Sequence, residues 1–252
     1  MKICAVIITA YEAENYILDC LESLKKQKLP KGWICEFYIG VDACKKTEQV
    51  LKQHLINFYL AKENVGTYVL SNSLLREAQI NNARLFVRFD SDDIAGEKFL
   101  YKGIKHADRT GFCRPNQIAC DENMNPISNK ISPAHGSMFV RRDALEQLGG
   151  YYHYRVGCDT NFYRRAERLG FGTSTNNDYD IPFYYYRTHK TSLMKHSTMG
   201  KGTIYRRESW EQMKKEYFAG VNKIENIVTT PLFFEKKELY DTKNYSSNMD
   251  RR

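Results

Sequence analysis

The chain has 252 residues, 42% of them apolar and 27% charged, and Lys plus Arg exceed Asp plus Glu by 38 to 30 for a formal net charge of +8. That is enough chain for one domain with an appendage, and the composition excludes a disordered or collagen-like protein. No run reaches the roughly 18 to 20 uncharged apolar residues of a spanning helix. The seven cysteines include no C-x-x-C pair, so neither a zinc site nor a disulfide framework is expected and a reducing cytoplasm is the expected compartment. The basic excess forms no block of five or six like charges; a solvated basic surface accounts for it, with a nucleic-acid footprint as the sharper alternative.

Residues 3–9 form a continuous apolar run that reads as a strand buried on both faces. Ile17, Leu18, Leu21 and Leu24 then share one helix face, closed by the turn Leu29-Pro30-Lys31-Gly32. A second strand at 37–41 leads to a helix from about Thr47 with Val50, Leu51, Leu55 and Phe58 as its stripe. A helical pattern at 68–78 returns the chain to a third strand, 84–89. This alternation predicts βαβ units and a mostly parallel sheet.

Later elements are more mixed: a helix near 97–106, irregular strands through 112–131, and a helix over 143–148 stopped by Gly149-Gly150. The expected organisation is a domain over 1–200 and a helical extension over 201–252, weakly ordered from 240 onward. Ligands in open parallel sheets sit beyond the carboxyl ends of the strands, which gathers 9–12, Asp42 and 90–93 around one crevice.

Asp90-Ser91-Asp92-Asp93 follows an apolar strand directly, presenting three carboxylates at a strand end. Their mutual repulsion is costly without a cation, and hard divalent ions such as Mn²⁺ or Mg²⁺ take one or two carboxylates together with substrate phosphates. A surface turn or helix cap is the plainer reading of the same residues.

Five segments in order give the chain a wider resemblance. They are Val6-Ile7-Ile8-Thr9-Ala10-Tyr11; Gly40-Val41-Asp42; Glu63-Asn64-Val65-Gly66 with Asn72, running on through 83–93; His135-Gly136-Ser137-Met138-Phe139-Val140-Arg141-Arg142 with Leu148-Gly149-Gly150-Tyr151; and Gly157-Cys158-Asp159 with Tyr186-Arg187-Thr188-His189-Lys190-Thr191-Ser192. From about residue 3 to 195 this pattern resembles the inverting glycosyltransferases of family 2. The resemblance implies an α/β GT-A fold, the fold of nucleotide-diphospho-sugar transferases, with a mostly parallel central sheet flanked by helices. The chain departs from the family pattern at Ala43 and Ser71, where an Asp and an Arg are usual, and keeps one acidic residue, Asp159, of a usual pair.

By that resemblance Ala10, Tyr11, Glu12, Asp42, Asn64, Gly66, Asp90, Ser91 and Arg187 contact the donor, expected to be a UDP-sugar. Asp90, Asp92 and His189 bind the metal, His135, Gly136 and Tyr151 line the acceptor side, and Asp159 is the catalytic base. Arg187 suits phosphate because a guanidinium matches its geometry. The tyrosines around 151–154 and 183–186 flank the same side, where rings stack on sugars or bases, although half-buried packing is the commoner use of Tyr.

Two other readings fit parts of the pattern. A nucleotidyltransferase also sets carboxylates at parallel strand ends, but neither G-x-x-x-x-G-K-[ST] nor G-x-G-x-x-G occurs. A non-catalytic nucleic-acid-binding module on the same fold suits the charge but gives no reason to keep Asp90, Asp92, Asp159, Arg187 and His189 together. The acceptor is open among a glycan, a protein, a small molecule and DNA with hydroxymethylated bases, which would have to be reached or flipped out.

Overall fold

A computed structural model describes residues 1–152, 157–171 and 183–189, together with the backbone of 234–238. In chain order the first half runs β1 (Lys2–Ala10), α1 (Ile17–Lys25), β2 (Trp33–Val41), α2 (Lys45–Gln53), β3 (Phe58–Ala61), α3 (Thr67–Ile80), β4 (Leu85–Asp90) and β5 (Ile94–Ala95). The rest runs α4 (Phe99–Thr110), β6 (Phe112–Cys113), β7 (Asn116–Cys120), β8 (Pro126–Pro133), β9 (Met138–Arg141), α5 (Arg142–Leu148), α6 (Cys158–Arg168), β10 (Phe183–Arg187) and β11 (Phe234–Glu238).

The main sheet has the order β11-β3-β2-β1-β4-β9-β6. Its β3, β2, β1 and β4 are parallel, and β9, β6 and β11 are added antiparallel. β1 is apolar from Ile3 to Ile8 because both its faces are covered. Cys4, Val6, Ile8 and Ala10 face the layer of α1, α2 and α4, and Ala5 and Ile7 face that of α3, α5 and α6. Each fully buried Ile or Phe in these layers contributes about 1.5–3 kcal/mol through removal of apolar surface from water.

The chain builds outward from β1 to β2 and β3, then crosses back so that β4 lies on the other side of β1. Strand order reverses there, opening a crevice between the carboxyl ends of β1 and β4 where Thr9 pairs with Asp90. A second sheet, β5-β10-β7-β8, stands beside it. Because β10 pairs with β5 just after the acidic turn and with β7, it carries Arg187 and the residues after it back to that crevice.

The stripe assigned to the second helix is only half right. That helix ends at Gln53; Leu55 takes a left-handed φ of 52° and is exposed, and Phe58 opens β3 with its side chain in the core. The amides of Leu55 and Ile56 turn back to Lys52 and Leu51, so the segment reverses before another helical turn can form. The helix expected over 97–106 is shifted to Phe99–Thr110, with Lys98 in a left-handed conformation at its start. Of the extension expected to be helical over 201–252, the described part, Phe234–Glu238, is a strand; the remainder, like Tyr154 and 190–192, lies outside the described residues.

Candidate active site

Two loops form the floor of the crevice. Glu12 after β1 and Ala43 after β2 both take left-handed backbone, with φ of 51° and 54°. They brace each other: the Asp42 amide donates to the Ala10 carbonyl at 2.9 Å, and the Ala13 amide to Thr47 Oγ1 at 3.0 Å. Ala10 is buried by this, whereas Tyr11 and Glu12 stand exposed at the crevice with Tyr11 at 52%.

Asp42 is used differently from expectation. Its two carboxylate oxygens accept the amides of Val65 and Gly66 at 2.8 and 2.9 Å, so the buried side chain caps the start of α3. Gly66, with φ of 87°, supplies backbone that a side chain would strain, and Asn64 stands exposed on the loop thus tied down.

At the end of β4 the structure brings together Asp90, Asp92, Asp93 and a residue the sequence reading missed, Arg88. Arg88 is 6% exposed, and its Nη2 donates to Asp90 Oδ1 at 2.6 Å and to Thr67 Oγ1 at 3.1 Å. Its Nη1 donates to the Gly136 carbonyl, and its guanidinium lies 5.3 Å from the centre of the Tyr68 ring. A charge two residues before an acidic strand end, inside an otherwise apolar strand, was the signal available. Burial pushes Asp90 up to about 6, with Arg88 pulling the other way and the charges of Asp92 and Asp159 adding to the rise. Asp93 is more deeply buried. Burial first, then Asp92 and Asp90, raises it well above the ordinary carboxylate range, and while its Oδ1 accepts the Arg187 amide at 2.9 Å, its Oδ2 has no hydrogen bond. Ser91 is buried between them.

Beyond β10, His189 is 7% exposed, with Nε2 at 2.8 Å from Asp92 Oδ2 and its ring 4.6 Å from that of Tyr16. Arg187, expected at a phosphate, is 4% exposed; its guanidinium covers the Tyr16 ring at 4.7 Å and reaches Asp19 at 3.5 Å. Here Arg187 braces the wall of the site, since its ring and carboxylate partners lie on the first helix and the loop before it. Among the described residues no three His, Cys, Asp or Glu side chains form a metal cluster. Asp92 with His189 is a two-donor set, and it fits Mn²⁺ or Mg²⁺ of the kind that completes its shell with water and substrate phosphate. Asp90 and Asp93 are raised by burial first and by their neighbouring carboxylates after it, and a cation bound beside them would favour the ionised forms.

The opposite wall comes from the 135–151 segment and α6. His135 is exposed, and its Nδ1 lies 3.4 Å from Arg114, whose guanidinium stacks 3.9 Å from the Tyr163 ring centre. Gly136 sits against Asp90, and a methyl group on it would overlap Asp90 Oδ2. Tyr151, expected to touch the acceptor, is instead 3% exposed. Its ring stacks on Phe162 at 4.5 Å, and its backbone exchanges two 2.8 Å hydrogen bonds with Asn72, which places it in the wall behind the site.

Asp159 stands half-buried in the first turn of α6, its Oδ1 held by the Thr160 amide at 2.6 Å. Its charge reaches Asp90, Arg88 and Arg114. Arg165 fixes this helix: its fork donates to the carbonyls of Leu148 and Gly150, and its Nε to Asn161 at 2.7 Å.

The family model of Glycosyl transferase family 2 matches residues 5–169, the span that contains every element of this crevice except β10 and His189. The chain belongs to that family. A chondroitin synthase of Escherichia coli is 25% identical over a 190-residue alignment that covers 71% of this chain and 26% of that protein, so the chain spans about a quarter of its length. Among solved structures, S. aureus TarS 1-349 in complex with UDP-GlcNAc matches with a TM-score of 0.60 and 17% identity over 77% of this chain and 61% of that one. The mannosyltransferase PcManGT from Pyrobaculum calidifontis, in complex with GDP-Man and Mn²⁺, matches with a TM-score of 0.58 and 16% identity over 82% and 69%. At these identities the structures establish the fold, which is GT-A. Among the described residues no helix is long and apolar enough to cross a membrane.

Proposed function

We propose that this family 2 chain transfers a sugar from a UDP-linked donor to a hydroxyl of a glycan, with inversion, and requires Mn²⁺ or Mg²⁺. The observation that carries the reading is the Asp90 to Asp92 turn at the carboxyl ends of β1 and β4, with His189 Nε2 2.8 Å from Asp92 Oδ2; Asp159, in the first turn of α6, is the candidate base. A glycan acceptor is favoured by the chondroitin synthase likeness.

Tyr11, Glu12 and Asn64, exposed around the floor, are positioned to meet the nucleoside. Asp42 serves that contact indirectly, by holding the loop that carries Asn64. Asp92 and His189 would hold the cation, with the Asp90 charge nearby, and when bound it supplies Lewis-acid stabilisation of charge on the departing diphosphate. Asp159 takes the proton of the acceptor hydroxyl during attack, an effect worth on the order of 10²- to 10⁴-fold. The Thr160 amide fixes which carboxylate edge faces the acceptor. Attack from the side of α6, opposite the diphosphate, inverts the anomeric centre. Gly136 and His135 border the acceptor's approach.

The test is release of nucleoside diphosphate from a panel of nucleotide sugars with Mn²⁺, beside Asp92→Ala and Asp159→Ala. Metal-dependent release from one donor, abolished by Asp92→Ala, supports the reading, and that donor then screens oligosaccharides and hydroxymethylated DNA as acceptors. Neither release nor calorimetric binding of any donor would sink it.

A further inference from the structure

We infer that Arg88 is a positioning residue that fixes the Asp90 carboxylate and locks it to the 135–137 turn, so that the donor and acceptor walls are set by one guanidinium. The inference rests on the transferase reading and assigns the residue that reading leaves without a role. Arg88 and Asp90 are two apart on β4 and therefore project to one side of the sheet.

From there one fork reaches three segments at once: Asp90 on the strand end, Thr67 at the head of α3, and the Gly136 carbonyl. Thr67 in turn meets Thr9 at the end of β1 with its Oγ1 at 2.6 Å from Thr9 Oγ1. Ser137 closes the circuit, its hydroxyl donating to the Arg88 carbonyl at 2.9 Å. Asp90 is thus held on one side by Arg88 and on the other by Gly136, where there is no room for a β-carbon.

Stability alone does not account for this choice. Burying an ion pair gains little over apolar packing of equal volume, and Arg88 Nε is left buried without a hydrogen bond. Asp90 has its own partner before any donor arrives, so the carboxylate is oriented in advance. A lysine has the charge but not the planar fork, and it cannot serve Asp90, Thr67 and Gly136 together.

The experiment compares Arg88→Met, Arg88→Lys and Gly136→Ala with the parent in three readouts: donor hydrolysis without acceptor, calorimetric affinity for UDP with Mn²⁺, and Tm. Misplacing a reacting group by an ångström costs about 10²-fold, so turnover at saturating donor should fall by about that factor in Arg88→Met and Gly136→Ala. UDP affinity with Mn²⁺ should fall much less than turnover, because Asp92 and His189 stay in place, and Arg88→Lys should behave like Arg88→Met. Turnover near that of the parent in these variants, or full rescue by lysine, overturns the inference, as does a parallel collapse of turnover, affinity and Tm. If the Arg88 variants fail to fold, Gly136→Ala decides alone. A parent that hydrolyses no donor counts against the transferase reading instead. In that case the electron paramagnetic resonance spectrum of bound Mn²⁺ with UDP decides: a change in Gly136→Ala supports the positioning role, and an unchanged spectrum overturns it.

Discussion

His189 Nε2 and Asp92 Oδ2 lie 2.8 Å apart although 97 residues separate them in sequence. The pair forms because β10 runs between β5 and β7. Replacing His189 by Ala should weaken Mn²⁺ binding measured with UDP by about 10- to 100-fold, the usual effect of removing a ligand or its support. Unchanged affinity would assign His189 to packing against Tyr16 alone.

Asp90 contributes to the pH dependence. Its folded-state value of about 6 lies above its ordinary 3.8, so the metal-free fold takes up a proton that the unfolded chain releases. This group's contribution to stability is therefore fullest below 3.8 and is lost as pH rises through 6. A bound cation offsets that loss only where Asp90 is ionised. Mn²⁺ with UDP should raise Tm more at pH 7.5 than at pH 5, and donor release should decline as pH falls through about 6. A Tm increment independent of pH would remove Asp90 from the account.

Arg165 is the structural counterpart of Arg88 on the acceptor side. Arg165→Met orphans the buried carbonyls of Leu148 and Gly150, and an unmet buried acceptor costs about 1–3 kcal/mol, so unfolding free energy should drop by at least about 2 kcal/mol. Chemical denaturation measures it. Because Arg165 anchors the helix that presents Asp159, transfer should weaken in the same variant while UDP binding persists.

Asp42 offers a different split. Asp42→Ala removes the acceptors for the Val65 and Gly66 amides, which by the usual cost of a lost helix cap is worth about 1 kcal/mol. The loop bearing Asn64 is then untied, and UDP affinity should fall by more than the Tm suggests. A variant with weakened Tm and intact UDP affinity would confine Asp42 to capping.

Elements covered on both faces were legible in the sequence. β1 and, but for Arg88, β4 are apolar through their middle and end in polar clusters, so their positions and the crevice at their ends followed from pattern. β3 was not legible, since Phe58 lies at helical spacing from Val50 and Leu51 and only the left-handed turn at Leu55 separates them. Among site residues, strand ends alone placed Asp90 and Asp92 on the crevice, while Asp159 and His189 came from the family resemblance. The burial of Tyr151 and Arg187 was not legible, since their types suit ligands and only their neighbours bury them. Such burial is a property of tertiary packing, of Asn72 and Phe162 in one case and Tyr16 and Asp19 in the other. Arg88 escaped because a single charge inside an apolar run reads as an exception until its three partners are seen.

The antiparallel pairing of β11 with β3 bears on how the chain can be shortened. β3 has four residues and would be the rim of the sheet without that partner. A truncation that removes Phe234–Glu238 leaves a row of unmet amides and carbonyls on an otherwise complete catalytic layer, an invitation to edge-to-edge association with another copy. The last described strand, forty-five residues beyond His189, thus covers that edge, and expression boundaries belong after it.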